Sequence, residues 1–289
     1  MKHFRPRLSR RAFWVLCALL VCLRLALTGF QQAYIWVGGA PLDDELMFRA
    51  ANHITAGQWL GAYDYLTLSK AMFFPVWLAL LHALHLPYLI SGAALWCGAA
   101  LLAAFAFSTL WRKKDTTQGR VLMLGLFAAL AFLPSSWAAY TLRVYRDNIF
   151  PALCLYFFAG MAGMALRAVL TPEKALWPWL AAAGAGLACG YLDREDAGLF
   201  LLPFAAAATV IVAVVLAGKR RWKALAAQVI PYVMLGVGVL TFCTLNYTHY
   251  GVFALSDFSE GSFAAAMGAM MRVDTDSTCL LYTSDAADE

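Results

Sequence analysis

The strongest constraint on this chain is its succession of apolar blocks, most of them long enough to cross a bilayer core as a helix of about 20 residues. The blocks fall at roughly 12–31, 88–110, 121–139, 149–169, 177–192, 197–217 and 225–247. Charged residues make up only 13% of the 289, against roughly 25% in a soluble domain. Too little polar surface remains to keep a water-soluble fold dispersed, so lipid is the expected solvent. The expected fold class is all-α: a polytopic transmembrane helix bundle with interfacial helices on its outer face.

Positive charge sets the expected orientation. Lys2, Arg5, Arg7, Arg10 and Arg11 precede the first block, which places the N-terminus in the cytoplasm. Arg112, Lys113, Lys114 and Arg120 form a second cluster, and Lys219, Arg220, Arg221 and Lys223 a third. All three lie inside only if the short apolar stretch Ala71 to His85 does not cross, so that stretch is expected as a partly inserted helix on the outer side. The result is seven crossings. Fifteen of the 22 Lys and Arg residues then face inward, and most carboxylates face outward. Arg24 interrupts the first block, and no clear cleavage site follows it. An uncleaved anchor is expected there, with Arg24 either snorkelling to the headgroups or turned into the bundle.

Other motifs exclude more than they assign. Six cysteines lie inside apolar blocks, without CxxC or Cys/His metal spacing. His82 and His85 lack carboxylate or cysteine company, and there is no HExxH, P-loop or GxSxG. Gly186-Leu-Ala-Cys-Gly190 is a GxxxG, expected to bring two helices close. Nothing points to nucleic acid. Residues 279–289, Cys-Leu-Leu-Tyr-Thr-Ser-Asp-Ala-Ala-Asp-Glu, resemble one reading frame of a transposon adapter used in sequencing libraries. Residues 1–278 are therefore expected to be an incomplete transmembrane domain, and 279–289 a non-native tail.

The outer segments carry the chemistry. In the first, within 32–87, Leu46, Met47, Ala50, Ala51 and Ile54 share one side at helical spacing, so a helix lying along the membrane surface is expected. Asp43 and Asp44 open it, either as caps or as a general base or cation site. Gly57 suits the helix end, and Trp59, Tyr63 and Tyr65 suit the headgroup level. The second segment holds Arg143-Val-Tyr-Arg-Asp147, against the positive-inside trend. Those arginines either snorkel or build an anion site, to which Lys70 adds a third charge. The third is Asp193-Arg-Glu-Asp196, where Arg194 either pairs locally or joins the site. In the fourth, Asp257 and Glu260 have capping-box spacing.

At these residues the chain resembles the GT-C superfamily of polytopic glycosyltransferases, which includes protein O-mannosyltransferases and the aminoarabinose transferase of lipid A. The pattern is a first helix, an outer loop with an acidic pair, a surface helix, and a Lys before a Pro and a short apolar helix. Here these are Asp43-Asp44, Lys70 and Pro75. The match covers residues 12–147, and the later Arg-acidic pairs look like a bacterial branch. The superfamily's Lys-Pro-Pro is Lys70-Ala-Met-Phe-Phe-Pro75 here.

The resemblance implies a multi-pass enzyme of the bacterial cytoplasmic membrane. It would transfer a sugar from a polyprenyl-phosphate donor to a glycan, lipid or protein acceptor at the outer face, with inversion. It implies Asp43 or Asp44 as base, and Lys70, Arg143, Arg146 and Arg194 at the donor phosphate. Asp147, Glu195, Asp196 and Asp257 would support them. A magnesium or manganese ion on the acidic pair is compatible with this chemistry but not required. The rival expectations are a transporter or flippase for a lipid-linked anion, and a non-catalytic membrane scaffold.

Overall fold

The computed structural model describes residues 8–111, 116–172, 174–257 and 262–272. Lys2, Arg5, Arg7, Arg112, Lys113, Lys114, Glu260 and the 279–289 tail lie outside the described residues. Every regular element among the described residues is a helix. The one extended pairing among them is a single bridge between Tyr34 and Arg143.

Five helical stretches are long and apolar enough to cross a membrane: Arg10–Gly29, Tyr88–Leu110, Arg146–Leu170, Glu195–Gly218 and Trp222–Tyr250. Two of the seven expected crossings are shorter. The 121–139 block folds as a helix only over Thr117–Ala131, and the 177–192 block gives the 17-residue Trp177–Asp193. The first of these stops where Pro134 approaches, because a residue before proline is pushed out of the helical region. Leu133 is accordingly at φ −59°, ψ 126°, and a tight turn over Pro134–Trp137 follows.

In chain order α1 is Arg10–Gly29, α2 Pro41–Thr55, α3 Phe73–Ala83, α4 Tyr88–Phe107 and α5 Thr117–Ala131. Then come α6 Ala139–Leu142, α7 Phe150–Leu170, α8 Trp177–Asp193, α9 Leu201–Gly218, α10 Trp222–Ala227, α11 Ile230–Tyr250 and α12 Ser262–Met270. Helix α3 has 11 residues, a rise of about 16 Å, roughly half a bilayer core. It packs on α2, α4 and α8. Helix α2 buries Leu46, Met47, Ala50 and Ala51, the stripe its spacing predicts. Gly57 lies two residues past its end, at a φ of +76° that glycine adopts most readily.

Hydrogen bonds show which helix ends lie together. Arg120, starting α5, donates to Leu8 O before α1 at 2.6 Å. Arg167, ending α7, donates to Phe105 O near the end of α4 at 3.1 Å. These ends form a basic face. At the opposite face the Tyr88 hydroxyl, starting α4, donates to Arg143 O at 2.9 Å. Tyr250, ending α11, donates to Gly61 O at 2.9 Å. Arg24 turns into the bundle here: it is buried, bonds Thr28 Oγ1 at 2.9 Å and Ser136 O at 2.8 Å, and stacks 3.8 Å over Trp137.

The core is thickest between α7 and α8, where Phe157, Met164, Trp179 and Leu187 interlock. Gly186 permits this closeness. A Cβ there would lie 2.5 Å from Leu153 O and 2.6 Å from Phe157 N, both backbone atoms. Gly186→Ala is therefore expected to destabilise the detergent-solubilised protein by about 1–3 kcal/mol, the usual cost of overpacking. Gly125→Ala meets nothing within 4 Å and should leave the thermal midpoint unlowered. Equal midpoints for both variants would contradict the packing. Opposite this core, α9 and α11 expose Val210, Ile211, Val214, Val233, Val237 and Leu240, an apolar surface suited to lipid.

Candidate functional site

Asp44 is 1% exposed. It does not cap its own helix: its Oδ2 accepts the Trp36 backbone N–H at 2.6 Å. Its Oδ1 accepts from Arg143 Nε at 3.0 Å and from Arg143 Nη2. Both N–H groups converge on one carboxylate oxygen, and such charge-assisted hydrogen bonds are stronger than neutral ones. The backbone reinforces the pair. Tyr34 N donates to Leu142 O at 3.1 Å, and Val144 N to Tyr34 O at 2.9 Å, so segments on either side of the pair are stitched together. Burial alone lowers the Arg143 pKa, and pairing with Asp44 more than reverses this.

Asp43, one residue earlier, is different. A third of its side chain is open to solvent, and Lys70 Nζ lies 3.5 Å from its Oδ1. Its Oδ2 accepts from the Tyr145 hydroxyl at 3.2 Å. That hydroxyl in turn accepts from Arg146 Nη2 at 2.7 Å. The Tyr145 ring lies under both Arg143 and Arg146, at 4.2 and 4.8 Å. Burial pushes the Tyr145 phenol up to about 12, so it remains a donor to Asp43 at physiological pH.

From Arg146 the network runs to the end of α8 and the connection that follows it. Arg146 Nη1 meets Glu195 Oε1 at 2.8 Å and Oε2 at 2.6 Å. Glu195 also accepts the Ala71 backbone N–H, next to Lys70. Arg194 grips Asp196 through two bonds of 2.9 and 3.0 Å and reaches Asp147 Oδ1 at 2.7 Å. Hydrogen bonding to Asp196 raises the Arg194 pKa. Asp193 is fully buried, and neither carboxylate oxygen has a hydrogen-bond partner. Arg146 reaches only its backbone carbonyl, at 3.3 Å.

Beside this network lies a cleft of about 120 Å³. Arg194 and Glu195 supply its charge, while Met72, Leu192, Phe242 and Leu255 form apolar walls. Asp257 anchors its rim: its N–H donates to Leu68 O at 2.8 Å, and its Oδ2 accepts from Tyr63. The capping box proposed with Glu260 lies outside the described residues.

The structure thus brings together Asp43, Asp44, Lys70, Arg143, Arg146, Asp147, Arg194, Glu195 and Asp196, and joins Asp257 to the rim. It also sorts them. Asp43, Lys70 and Arg194 keep open surface, whereas Asp44, Arg143 and Arg146 are buried in pairs. A divalent cation shared by Asp43 and Asp44 does not fit this arrangement. Both oxygens of Asp44 are occupied by Arg143 and Trp36, and Asp43 turns to Lys70 and Tyr145. Among the described residues no group of three or more His, Cys, Asp or Glu is placed to hold a metal. Tyr145 and the N–H groups of Trp36 and Ala71 were not foreseen. A tyrosine beside lipid reads as a headgroup aromatic, and backbone donors carry no side-chain signal.

Compared with known proteins, the chain matches no family model, no curated protein and no solved structure.

Proposed function

We propose that the chain is a membrane glycosyltransferase of GT-C type, using a polyprenyl-phosphate sugar at the outer face of the bacterial cytoplasmic membrane. In this reading seven helices cross, α1 from the cytoplasm outward, and the charged network lies outside. One observation carries the reading. Asp43 is a partly open carboxylate held between Lys70 and Tyr145, and hydrogen bonds run from Tyr145 through Arg146 to Glu195, which lines a cleft with apolar walls.

The chemistry uses these residues directly. Asp43 takes the proton of an acceptor hydroxyl, whose oxygen attacks the anomeric carbon from the face opposite phosphate. The anomeric C–O bond breaks, its electrons leave with the polyprenyl phosphate, and the sugar inverts. A phosphate monoester has a second pKa of about 6, so no strong acid is needed to protonate it. Lys70 and Arg194 stabilise the charge that develops there. Arg143 and Arg146 are buried against Asp44 and Glu195, and they position the base and the cleft.

The test is a membrane preparation carrying the chain, supplied with a polyprenyl-phosphate sugar labelled in the sugar. The expected result is chain-dependent loss of label from the lipid and its gain by an acceptor. Movement of intact labelled lipid across the bilayer would assign the chain as a flippase instead. No chain-dependent change at all would favour a scaffold.

A further inference from the structure

The basic face holds a second cavity, of about 390 Å³, that the proposed reaction does not use. Arg10, Arg120, Arg167 and Lys174 line it, together with apolar side chains that include Trp14 and Phe105. No carboxylate lines it among the described residues. We propose that this cavity binds the headgroup phosphate of an anionic phospholipid in the leaflet opposite the charged network.

Three features support the proposal. The first is convergence. Residues that merely follow the positive-inside trend point separately into water, whereas these four come from three helices and a connection and share one cavity. Arg10 and Arg120 stand in the first turns of α1 and α5, and Arg167 in the last turn of α7. The second is rigidity. Arg167 stacks 3.7 Å over Trp179 and donates to Gly163 O at 3.3 Å and Phe105 O at 3.1 Å. Arg120 is fixed through Leu8 O. The third is the wall. Trp14 stacks on Phe105 with centroids 5.5 Å apart, and Trp14 is 46% exposed. A charged pocket with an aromatic face beside lipid-facing helices suits a headgroup with its acyl chains attached, whereas a free anion has no use for that wall. Basic pockets between helix ends are known lipid headgroup sites.

The proposal rests on the membrane placement of the bundle and not on the transfer reaction. It is tested with the purified full chain, delipidated and offered equal phosphatidylglycerol and phosphatidylcholine, with retained lipid counted by native mass spectrometry. Preferential retention of phosphatidylglycerol is expected. The variant Arg10→Gln/Lys174→Gln changes two exposed side chains that hold no helix in place. At about 1 kcal/mol per surface cation it should weaken retention about 30-fold. The charge-matched variant Arg11→Gln/Lys219→Gln, whose residues do not line the cavity, should retain lipid like the wild type. Equal retention of the two lipids would overturn the proposal, as would equal loss in both variants. Displacement of the lipid by excess inorganic phosphate would assign the cavity to a soluble anion instead, and would also overturn it.

Discussion

Asp43→Asn is expected to slow sugar transfer about 100- to 10,000-fold, the range a positioned general base contributes, while the protein still inserts and stays folded. The amide keeps the shape of the side chain and can still meet Tyr145, but it cannot take a proton. Asp43 is partly open and meets Lys70 at 3.5 Å, so its replacement leaves no deeply buried charge stranded. Initial rates of label transfer, compared at equal membrane levels of protein, check the outcome. A wild-type rate would remove Asp43 from the chemistry. Tyr145→Phe, which deletes the bond of 3.2 Å to Asp43 without removing the base, should give a smaller loss.

Arg143→Ala is expected to act on the fold. It strands the buried Asp44 carboxylate, and breaking a buried ion pair by removing one partner costs about 3–5 kcal/mol. Asp44→Ala strands the guanidinium and should cost a similar amount. The double variant Asp44→Leu/Arg143→Met leaves neither charge behind and should recover more than half of that loss, because well-packed apolar replacements of a buried pair are often near neutral. Thermal unfolding in detergent measures all three variants. Limited proteolysis of the segment 31–72 provides a local readout, since the Trp36 N–H and the Tyr34 bridge depend on the same pair. Single variants as stable as the wild type would show that Asp44 and Arg143 are not paired in the membrane.

The two aspartates show how far sequence reasoning reaches. Helix α2 was legible because Leu46, Met47, Ala50 and Ala51 repeat with helical period, and they are buried. The division of labour between Asp43 and Asp44 was not. Asp43 has Leu46 and Met47 three and four residues on, and Asp44 has Met47 and Phe48, so both flank the same buried stripe. What separates them is Arg143, 99 residues away, and no local pattern carries that distance. The convergence of these charged segments was legible because charge asymmetry led to the expectation that they share one side, and hydrogen bonds join them. The pairing inside that cluster was not, so arginines that read as free for phosphate are found already engaged. Pro134 marked the early end of α5, yet hydrophobicity alone ran the block on to 139. Arg24 was left between two orientations, and its partners Ser136 and Trp137 lie on a distant turn.

Cysteine accessibility in intact cells tests the shared placement of these segments most directly. Single cysteines at Glu45, Tyr140 and Leu199, each exposed, are introduced into a chain lacking its natural cysteines and treated with an impermeant thiol reagent. All three should label from outside, whereas a cysteine at Lys219 should label only after permeabilisation. Labelling of positions 45 and 140 from opposite compartments would separate Asp43 from Arg143 and Tyr145, and no common site would remain.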